Sequence, residues 1–393
     1  MTPSINTDNL KGIKIKLYPN EEQKQRINRM VQLARAVYNL GIEIIEKEYN
    51  STGKHLGAFD MNKIMIKLKN EDPSKEWINE LPVGSIYATM NNLERGYQRF
   101  FKKLSNHPKF KSRKTSKKSV SIRSDRTRVR GEYIQISGIN SYILAKDHKI
   151  PENARLYNTT ITFDGDYYWF GCCYERESDY KDNISSENHP IGIDVGVKNM
   201  IVTSDGDFYK YSDTTKLWKR KRRQDKRLGK DYKKYLEESM RTITKYEDIQ
   251  KSKNHYKRES QRRKTVRKIS NKRMNDIHTA TKQIVDKNPS AIIIENISVN
   301  NIIKTNKNWI SSYIPYMCFY EIHRQLKYKA EDRNIPVIIA DHNYASSKIC
   351  SNCGNRGRFD HSHRQFKCPI CGFKEDRDLN AAYNLRNLYY QNS

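Results

Sequence analysis

Two cysteine pairs, Cys350-x-x-Cys353 and Cys368-x-x-Cys371, stand fourteen residues apart near the end of this 393-residue chain. Each pair has a glycine directly after its second cysteine, Gly354 and Gly372, which lets backbone N–H groups approach the sulfurs. Four thiolates at this spacing close a tetrahedral Zn²⁺ site that leaves no open position, so the expected metal is structural and not catalytic. His361 and His363 fall between the pairs. With four cysteines filling the sphere, they are expected at the surface or against nucleic acid.

The other three cysteines, Cys172, Cys173 and Cys318, lie in apolar or aromatic surroundings. The set is no secreted disulfide framework and suits a reducing, intracellular compartment. Cys172 and Cys173 are neighbours in a strand-like run, so they face opposite ways and read as structural thiols. The length suffices for two to four units with cores of their own. No stretch approaches the roughly 20 apolar residues of a spanning helix, and the N-terminus lacks a signal-peptide apolar region. The formal charge is +29 and the pI about 9.7. Such a field attracts a polyanion, and nucleic acid is the leading candidate. A ribosome-associated or merely solubilised basic protein is the bland alternative, and a membrane-surface protein a weaker one.

Residues 11–18 alternate as a half-buried strand does, and Asn20 with Gln23 fits a capping box. Ile27, Met30, Val31, Ala34, Val37 and Leu40 then recur at helical spacing, as do Ile86, Met90, Leu93, Tyr97 and Phe100. These stripes are core-facing and carry no chemistry. Residues 105–130 are basic and Ser-rich. Phe110 interrupts the run with a stacking face, so a phosphate-gripping loop is favoured over a plain linker. Residues 133–176 are strand-rich and suggest a small β-barrel closed by the 11–18 strand, with the helices inserted into it. After a polar linker at 178–189 come three short strands in an antiparallel meander. Residues 216–273 are helical in pattern and hold 24 Lys and Arg against 7 Asp and Glu. A surplus this one-sided predicts a backbone-tracking surface. A helix at 275–287, a buried strand at 291–294, a helix at 312–333, a strand at 336–340 and a last helix at 378–389 complete the chain. Three strands, then helix, strand, helix, strand, helix is the element order of the RNase H-like fold.

Three carboxylates sit where elements of that fold end or begin. Asp194 closes the apolar run Ile191-Gly192-Ile193, Glu295 follows Ala291-Ile292-Ile293-Ile294, and Asp378 opens the last helix. Any one alone would pass as a surface cap. Together, in this order, they form a candidate site for Mg²⁺ or Mn²⁺, hard cations that take oxygen ligands and bind phosphate. Two such ions would activate water and stabilise the leaving oxygen in phosphodiester cleavage. Asp376 competes with Asp378 for the third place. Asp378 is preferred because Asn380 and Ala381 follow it on the helix.

At these residues the sequence resembles the TnpB family, transposon-encoded relatives of Fanzor proteins and type V CRISPR effectors. The resemblance runs from about residue 11 to 388: KIKLYPNEEQKQRI and LARAVYNLGIE, then PKFKSRK, GIDVGVKN around Asp194, IIIENISVNN around Glu295, RQLKYKA, SSKICSNCG with CPICG, and DRDLNAAYNL around Asp378. It implies an α/β multidomain protein. A wedge β-barrel would comprise residues 1–19 and 111–180, with a helical recognition lobe at 20–110. A RuvC-type, RNase H-like nuclease domain would comprise 188–343 and 376–393, with a zinc-ribbon-like target-nucleic-acid module at 344–375. It also implies a guide RNA derived from a transposon end, a double-stranded DNA target beside a short flanking motif, and Asp194, Glu295 and Asp378 as the catalytic acids. Cleavage would be by two-metal hydrolysis. Location would follow the host: cytoplasm or nucleoid in a prokaryote, nucleus in a eukaryote or its virus.

Other classes stay open at this level. A catalytically inactive, guide-dependent DNA-binding repressor would keep the fold, but loss of an acidic ligand would mark it, and all three are present. A transposase or its accessory protein would show a similar acidic site, and so would a guide-independent, structure-specific nuclease.

Overall fold

The structure, a computed structural model, describes residues 10–113, 116–148, 150–152, 154–175, 188–242, 249–296, 318–341, 344–357 and 364–392. The chain divides into two compact units, 1–178 and 179–393. His361 and His363, most of the 178–189 linker and the first part of the expected 312–333 helix lie outside the described residues.

The first unit begins with strand β1 (Leu10–Leu17), after which Tyr18-Pro19-Asn20 turns the chain into helix α1 (Glu21–Thr52). The start of α1 is fixed locally. The Asn20 side chain accepts from the Gln23 N–H at 2.8 Å, and the Gln23 side chain accepts from the Asn20 N–H at 3.0 Å. Gly53 ends the helix at φ 71°, a left-handed cap whose N–H donates to Tyr49. Helices α2 (Ala58–Glu71) and α3 (Val83–Phe101) follow, separated by a 3-10 segment at Pro73–Glu80. The apolar stripes of α1 and α3 are buried as their spacing requires, Ile27, Met30, Val37, Ile86 and Leu93 almost completely.

Strands β2 (Lys118–Ser121), β3 (Arg128–Arg130), β4 (Tyr133–Gln135), β5 (Tyr142–Leu144), β6 (Leu156–Phe163) and β7 (Tyr168–Glu175) make up the rest of the unit. They group into a four-stranded sheet of order β1-β7-β6-β2 and a three-stranded sheet of order β3-β4-β5. The early strand β1 pairs antiparallel with the late strand β7 along its whole length, so α1 to α3 are an insertion between sheet partners. One bridge, Tyr18 to Leu144, touches both sheets. Among the described residues, these ladders form two sheets and not one closed circuit. The basic 105–130 segment is less loop-like than expected, since it contains β2 and β3. Within it Lys111 packs its ammonium 3.4 Å from the Tyr38 ring centroid, and Phe110 stays exposed. Cys172 is buried and its thiol is pushed up to about 12 by burial, while Cys173 faces the other way and is half-buried.

The second unit is built on a five-stranded sheet of order β10-β9-β8-β11-β12. Its strands are β8 (Ile191–Val195), β9 (Asn199–Thr203), β10 (Phe208–Lys210), β11 (Ile292–Ile294) and β12 (Val337–Ile339). β8, β9 and β10 form an antiparallel meander, and β11 runs parallel to both β8 and β12. This mixed sheet is compatible with an RNase H-like domain.

Helices α4 (Thr215–Thr242) and α5 (Lys253–Asp286) pack against each other between β10 and β11. The helix expected separately at 275–287 is the last third of α5. No Gly or Pro interrupts 253–286, and the buried series Ile269, Ile277, Ala280, Ile284 continues through it. Helix α6 (Phe319–Glu331) and helix α7 (Arg377–Asn392) complete the layers. Ile191, Ile193 and Val195 of β8 and Ile292 and Ile294 of β11 pack with α5 and α6. Ile293 packs with Leu385 of α7 on the opposite face. Because strand side chains alternate, Gly192 and Asp194 belong to the α7 face.

Gly192 decides how close α7 comes. A Cβ there would fall inside contact distance of the Ala382 carbonyl oxygen and the Arg386 backbone nitrogen, neither of which can swing away. Gly192→Ala should therefore push α7 off the sheet and destabilise the second unit by about 3 kcal/mol, the upper part of the ordinary overpacking range. Urea unfolding of the full chain measures it, and a change under 0.5 kcal/mol would contradict this packing.

Candidate metal centres

The zinc insert is a pair of knuckles. Each CxxC turn ends on a glycine at φ 72°, and the Gly354 and Gly372 N–H groups donate to the carbonyls of Cys350 and Cys368. Strands β13 (Gln365–Lys367) and β14 (Lys374–Asp376) pair antiparallel beside the second knuckle, and Phe366 packs against Cys350 and Cys368. The four sulfurs all lie within 4.8 Å of one another. Cys350 and Cys371 sulfurs are 3.6 Å apart, as are those of Cys353 and Cys368. Zn–S bonds of about 2.3 Å in a tetrahedron put sulfurs about 3.8 Å apart, so the cage fits zinc.

The electrostatics agree with that fit. The Phe373 N–H and the Asn352 side chain draw the Cys371 thiol down to about 6. The Asn355 N–H acts to lower Cys353, but the neighbouring thiols outweigh it and push Cys353 up to about 12. Crowded sulfurs resist joint ionisation until a cation shares their charge.

The acidic centre grows out of strand register. Ile294 of β11 lies beside Ile193 of β8, so Glu295 and Asp194 are neighbours just beyond that pair, at the same end of two parallel strands. Both follow residues that face α5 and α6, which turns their own side chains to the α7 side. Asp378 occupies the first turn of α7. The Asn199 side-chain amide donates to its carboxylate at 3.2 Å, while Arg377 and Arg364 pair with it at 3.4 and 3.8 Å.

Asp376 has a different task. Its Oδ1 accepts from the N–H groups of Asp378 and Leu379 at 2.9 and 3.4 Å, which makes it the N-terminal cap of α7.

Burial holds the Asp194 carboxyl well above the usual carboxylate range, and the charges of Glu295 and Asp378 add to the shift. The Arg377 guanidinium works the other way. Glu295 is also raised, by burial. Among the described residues, the four thiols are the one group whose ligand atoms all fall within 4.8 Å, so the three carboxylates span a wider space. Three hard oxygen donors around such a space, repelling one another, match a divalent cation of the Mg²⁺ or Mn²⁺ type.

Sequence patterning missed Asn199, Arg364 and Asn384 here, and named Asn380 only as a neighbour of Asp378. Asn199 and Arg364 reach Asp378 across the fold and leave no local signature. Asn380 and Asn384 do leave one: amides one turn apart inside a helix, where asparagine is a poor helix former.

With this geometry, comparison with known proteins is informative. Residues 319–385 match the family model described as the Cas12f1-like TNB domain, and residues 9–54 match a helix-turn-helix model. The latter span is here a strand and one continuous 32-residue helix.

A Streptomyces pristinaespiralis protein named for RNA-guided DNA endonuclease activity is 25% identical over 95% of this chain and 88% of its own length. InsQ of Escherichia coli K12, named likewise, is 23% identical over 96% of this chain and 91% of its own. Cas12f1 of Sulfoacidibacillus thermotolerans, named a CRISPR-associated endodeoxyribonuclease, is 37% identical over 79 residues, 19% of this chain and 18% of its own. A cryo-EM structure of a Cas12f1–sgRNA–target DNA complex shares the fold with TM-score 0.55 at 14% identity, covering 94% of this chain and 83% of that one. Nearly the whole chain is thus similar to proteins named for RNA-guided DNA endonuclease activity, and it shares its fold with a Cas12f1.

The raised Asp194 gives a testable sign. A carboxyl whose folded value is raised favours the fold while protonated, and that contribution is lost as pH rises from the usual carboxylate range through the raised value. At pH 7.5 without divalent metal, Asp194→Asn should melt above the wild type, by about 2–4 °C for each kcal/mol relieved in a unit of this size. Added Mg²⁺ should raise the wild-type Tm and leave the variant unmoved. Equal responses of both proteins by calorimetry would contradict the assignment.

Proposed function

We propose that this chain is a guide-RNA-directed endonuclease that cuts double-stranded DNA beside a short flanking motif, with Asp194, Glu295 and Asp378 as its catalytic acids. One observation carries the proposal. Asp194 and Glu295 stand at the ends of neighbouring parallel strands with Asp378 in electrostatic reach of Asp194, in a chain matched almost end to end by relatives named for RNA-guided DNA cleavage.

The three carboxylates would hold Mg²⁺ or Mn²⁺, which when bound supplies an activated water and charge stabilisation at the scissile phosphate. The protein contributes the rest. Burial of Asp194 and Glu295 presents them unscreened, and the Asn199 amide fixes one oxygen of Asp378. The Arg364 and Arg377 guanidiniums stand beside a site that must receive a phosphodiester. The Cys350, Cys353, Cys368 and Cys371 cage would hold one structural Zn²⁺.

The α4–α5 hairpin supports a polyanionic partner. Two of its acids pair across the seam, Asp225 with Arg262 and Asp231 with Arg258, while Asp225 also pairs with Lys221 and Glu259 with Arg263 along their own helices. Lys216, Lys219, Arg220, Arg223, Lys226 and Lys230 of α4 remain exposed. A surface sorted this way tracks a phosphate backbone, here that of the guide RNA or its duplex with the target strand. In this scheme guide pairing reads the target sequence and protein contacts read the flanking motif.

The domain scheme follows from the same proposal. The β1-β7-β6-β2 and β3-β4-β5 sheets would form the wedge barrel, spanning 1–19 and 111–180, and α1 to α3 the recognition lobe at 20–110. Residues 188–343 and 376–393 would be the RuvC-like domain, with the target-nucleic-acid module at 344–375.

Asp194→Ala and Glu295→Ala should each lower cleavage of a programmed plasmid by at least about 10³-fold while guide RNA still co-purifies at wild-type yield. Cleavage at the wild-type rate by either variant would overturn the catalytic assignment. Absence of any defined co-purifying RNA would overturn the guide.

A further inference from the structure

We infer that Asn380 and Asn384 are positioning residues that tie the zinc knuckle to the helix carrying Asp378, so that zinc occupancy sets the affinity of the acidic centre for its metal. The inference rests on the acidic trio being that centre.

The Asn380 carboxamide brackets a zinc ligand. Its Nδ2 donates to the Ile349 carbonyl at 2.8 Å, and its Oδ1 accepts from the Ser351 N–H at 3.0 Å, so it grips the backbone on both sides of Cys350. One turn along, Asn384 Nδ2 donates to the carbonyls of Ser346 at 2.8 Å and Ile349 at 2.6 Å. Asn387 Nδ2 reaches the Ser351 carbonyl at 3.4 Å. The three amides lie at i, i+4 and i+7, one stripe of α7. Asn380 is fully buried, Asn384 is 2% exposed, and Cys350 between their partners is also fully buried. A buried amide that loses its partners is costly, so this register has little slack.

The same helix is held from its other side. Strand β14 of the second knuckle leads directly into α7 at Arg377, and the Arg377 N–H donates to the Arg364 carbonyl. Asp378 thus sits two residues from a side chain clamped to the first knuckle and two residues from the end of a strand that belongs to the second. The knuckles also touch through Asn352 on the Cys371 sulfur and Phe366 against Cys350 and Cys368, but a bound metal would be the one link holding all four sulfurs at once. When zinc is present, the two grips agree on one orientation of the first turn of α7. When it is lost, they are free to diverge, and Asp378 moves relative to Asp194 and Glu295, which are fixed on the sheet.

The test uses the full chain with its co-purified RNA and reads the Mg²⁺ dependence of cleavage together with amide hydrogen exchange over residues 378–384. Asn380→Ala should raise the Mg²⁺ concentration for half-maximal cleavage roughly 10–100-fold, the usual penalty for losing an outer-shell partner, while the rate at saturating Mg²⁺ approaches the wild type's. Exchange in the first two turns of α7 should speed up. Asn384→Ala, which removes donated bonds only, should shift both readouts the same way but less. Wild-type protein stripped of zinc with 1,10-phenanthroline should match Asn380→Ala, which keeps the test available should that variant fail to fold. A wild-type Mg²⁺ half-saturation in the variants and in the stripped protein would overturn the inference, whether or not the maximal rate falls. Asp194→Ala is the control. If it is inert while the asparagine variants behave as wild type, this inference alone fails; if it cuts normally, the acidic centre itself is misassigned.

Discussion

Helix α7 lies against strand β8 at a distance that no side chain at position 192 would allow, and much of the second unit follows from that approach. It brings Leu385 onto Ile293 and Ala340, closing the second face of the sheet. It also carries Asp378 to the strand ends where Asp194 and Glu295 emerge. A single glycine therefore serves packing and chemistry together. The opposite face, where Ile191, Ile193, Ile292 and Ile294 meet α5 and α6, is an ordinary apolar interface and supplies the rigidity against which α7 is placed.

The site runs against the stability of the fold that holds it. Burial and mutual repulsion raise Asp194, while the guanidiniums of Arg364 and Arg377 are paired with Asp378. Such a cluster is worth keeping if a divalent cation takes its place among the oxygens. The zinc cage shows the same logic in softer ligands, four sulfurs too close to ionise together without a metal. The chain's large positive charge is distributed differently. In the α4–α5 hairpin Asp225 and Asp231 pair with arginines of the facing helix while many lysines and arginines of α4 stay exposed, so the residues that hold the two helices together also help sort the surface charge.

Much of this was legible in the sequence, for identifiable reasons. The capping box at Asn20 and Gln23 is a local signal, and so is the spacing of the four cysteines. The order of strands and helices after 188 announced the mixed five-stranded sheet, one compatible with an RNase H-like domain, because each strand is a short apolar run with clear ends. Competition between Asp376 and Asp378 was not decidable from local pattern. Both stand at the start of the same helix, and only the tertiary structure gives Asp376 the cap and turns Asp378 toward Asn199, 179 positions away. The true length of α5 was obscured by its charge, because a basic run reads as a separate surface element while its buried stripe continues underneath. The strands at 118–121 and 128–130 escaped for a related reason: strands of three or four residues carry too few alternations to stand out from a polar segment.

The account stands on a divalent metal being held at once by residues of β8, of α7 and just after β11. The most direct measurement is an anomalous difference map at the manganese edge from crystals of the full chain soaked in Mn²⁺. The account predicts strong density bounded by the carboxylates of Asp194, Glu295 and Asp378, and none there in crystals of Asp194→Ala. Manganese density elsewhere on the chain, with that space empty, would contradict it.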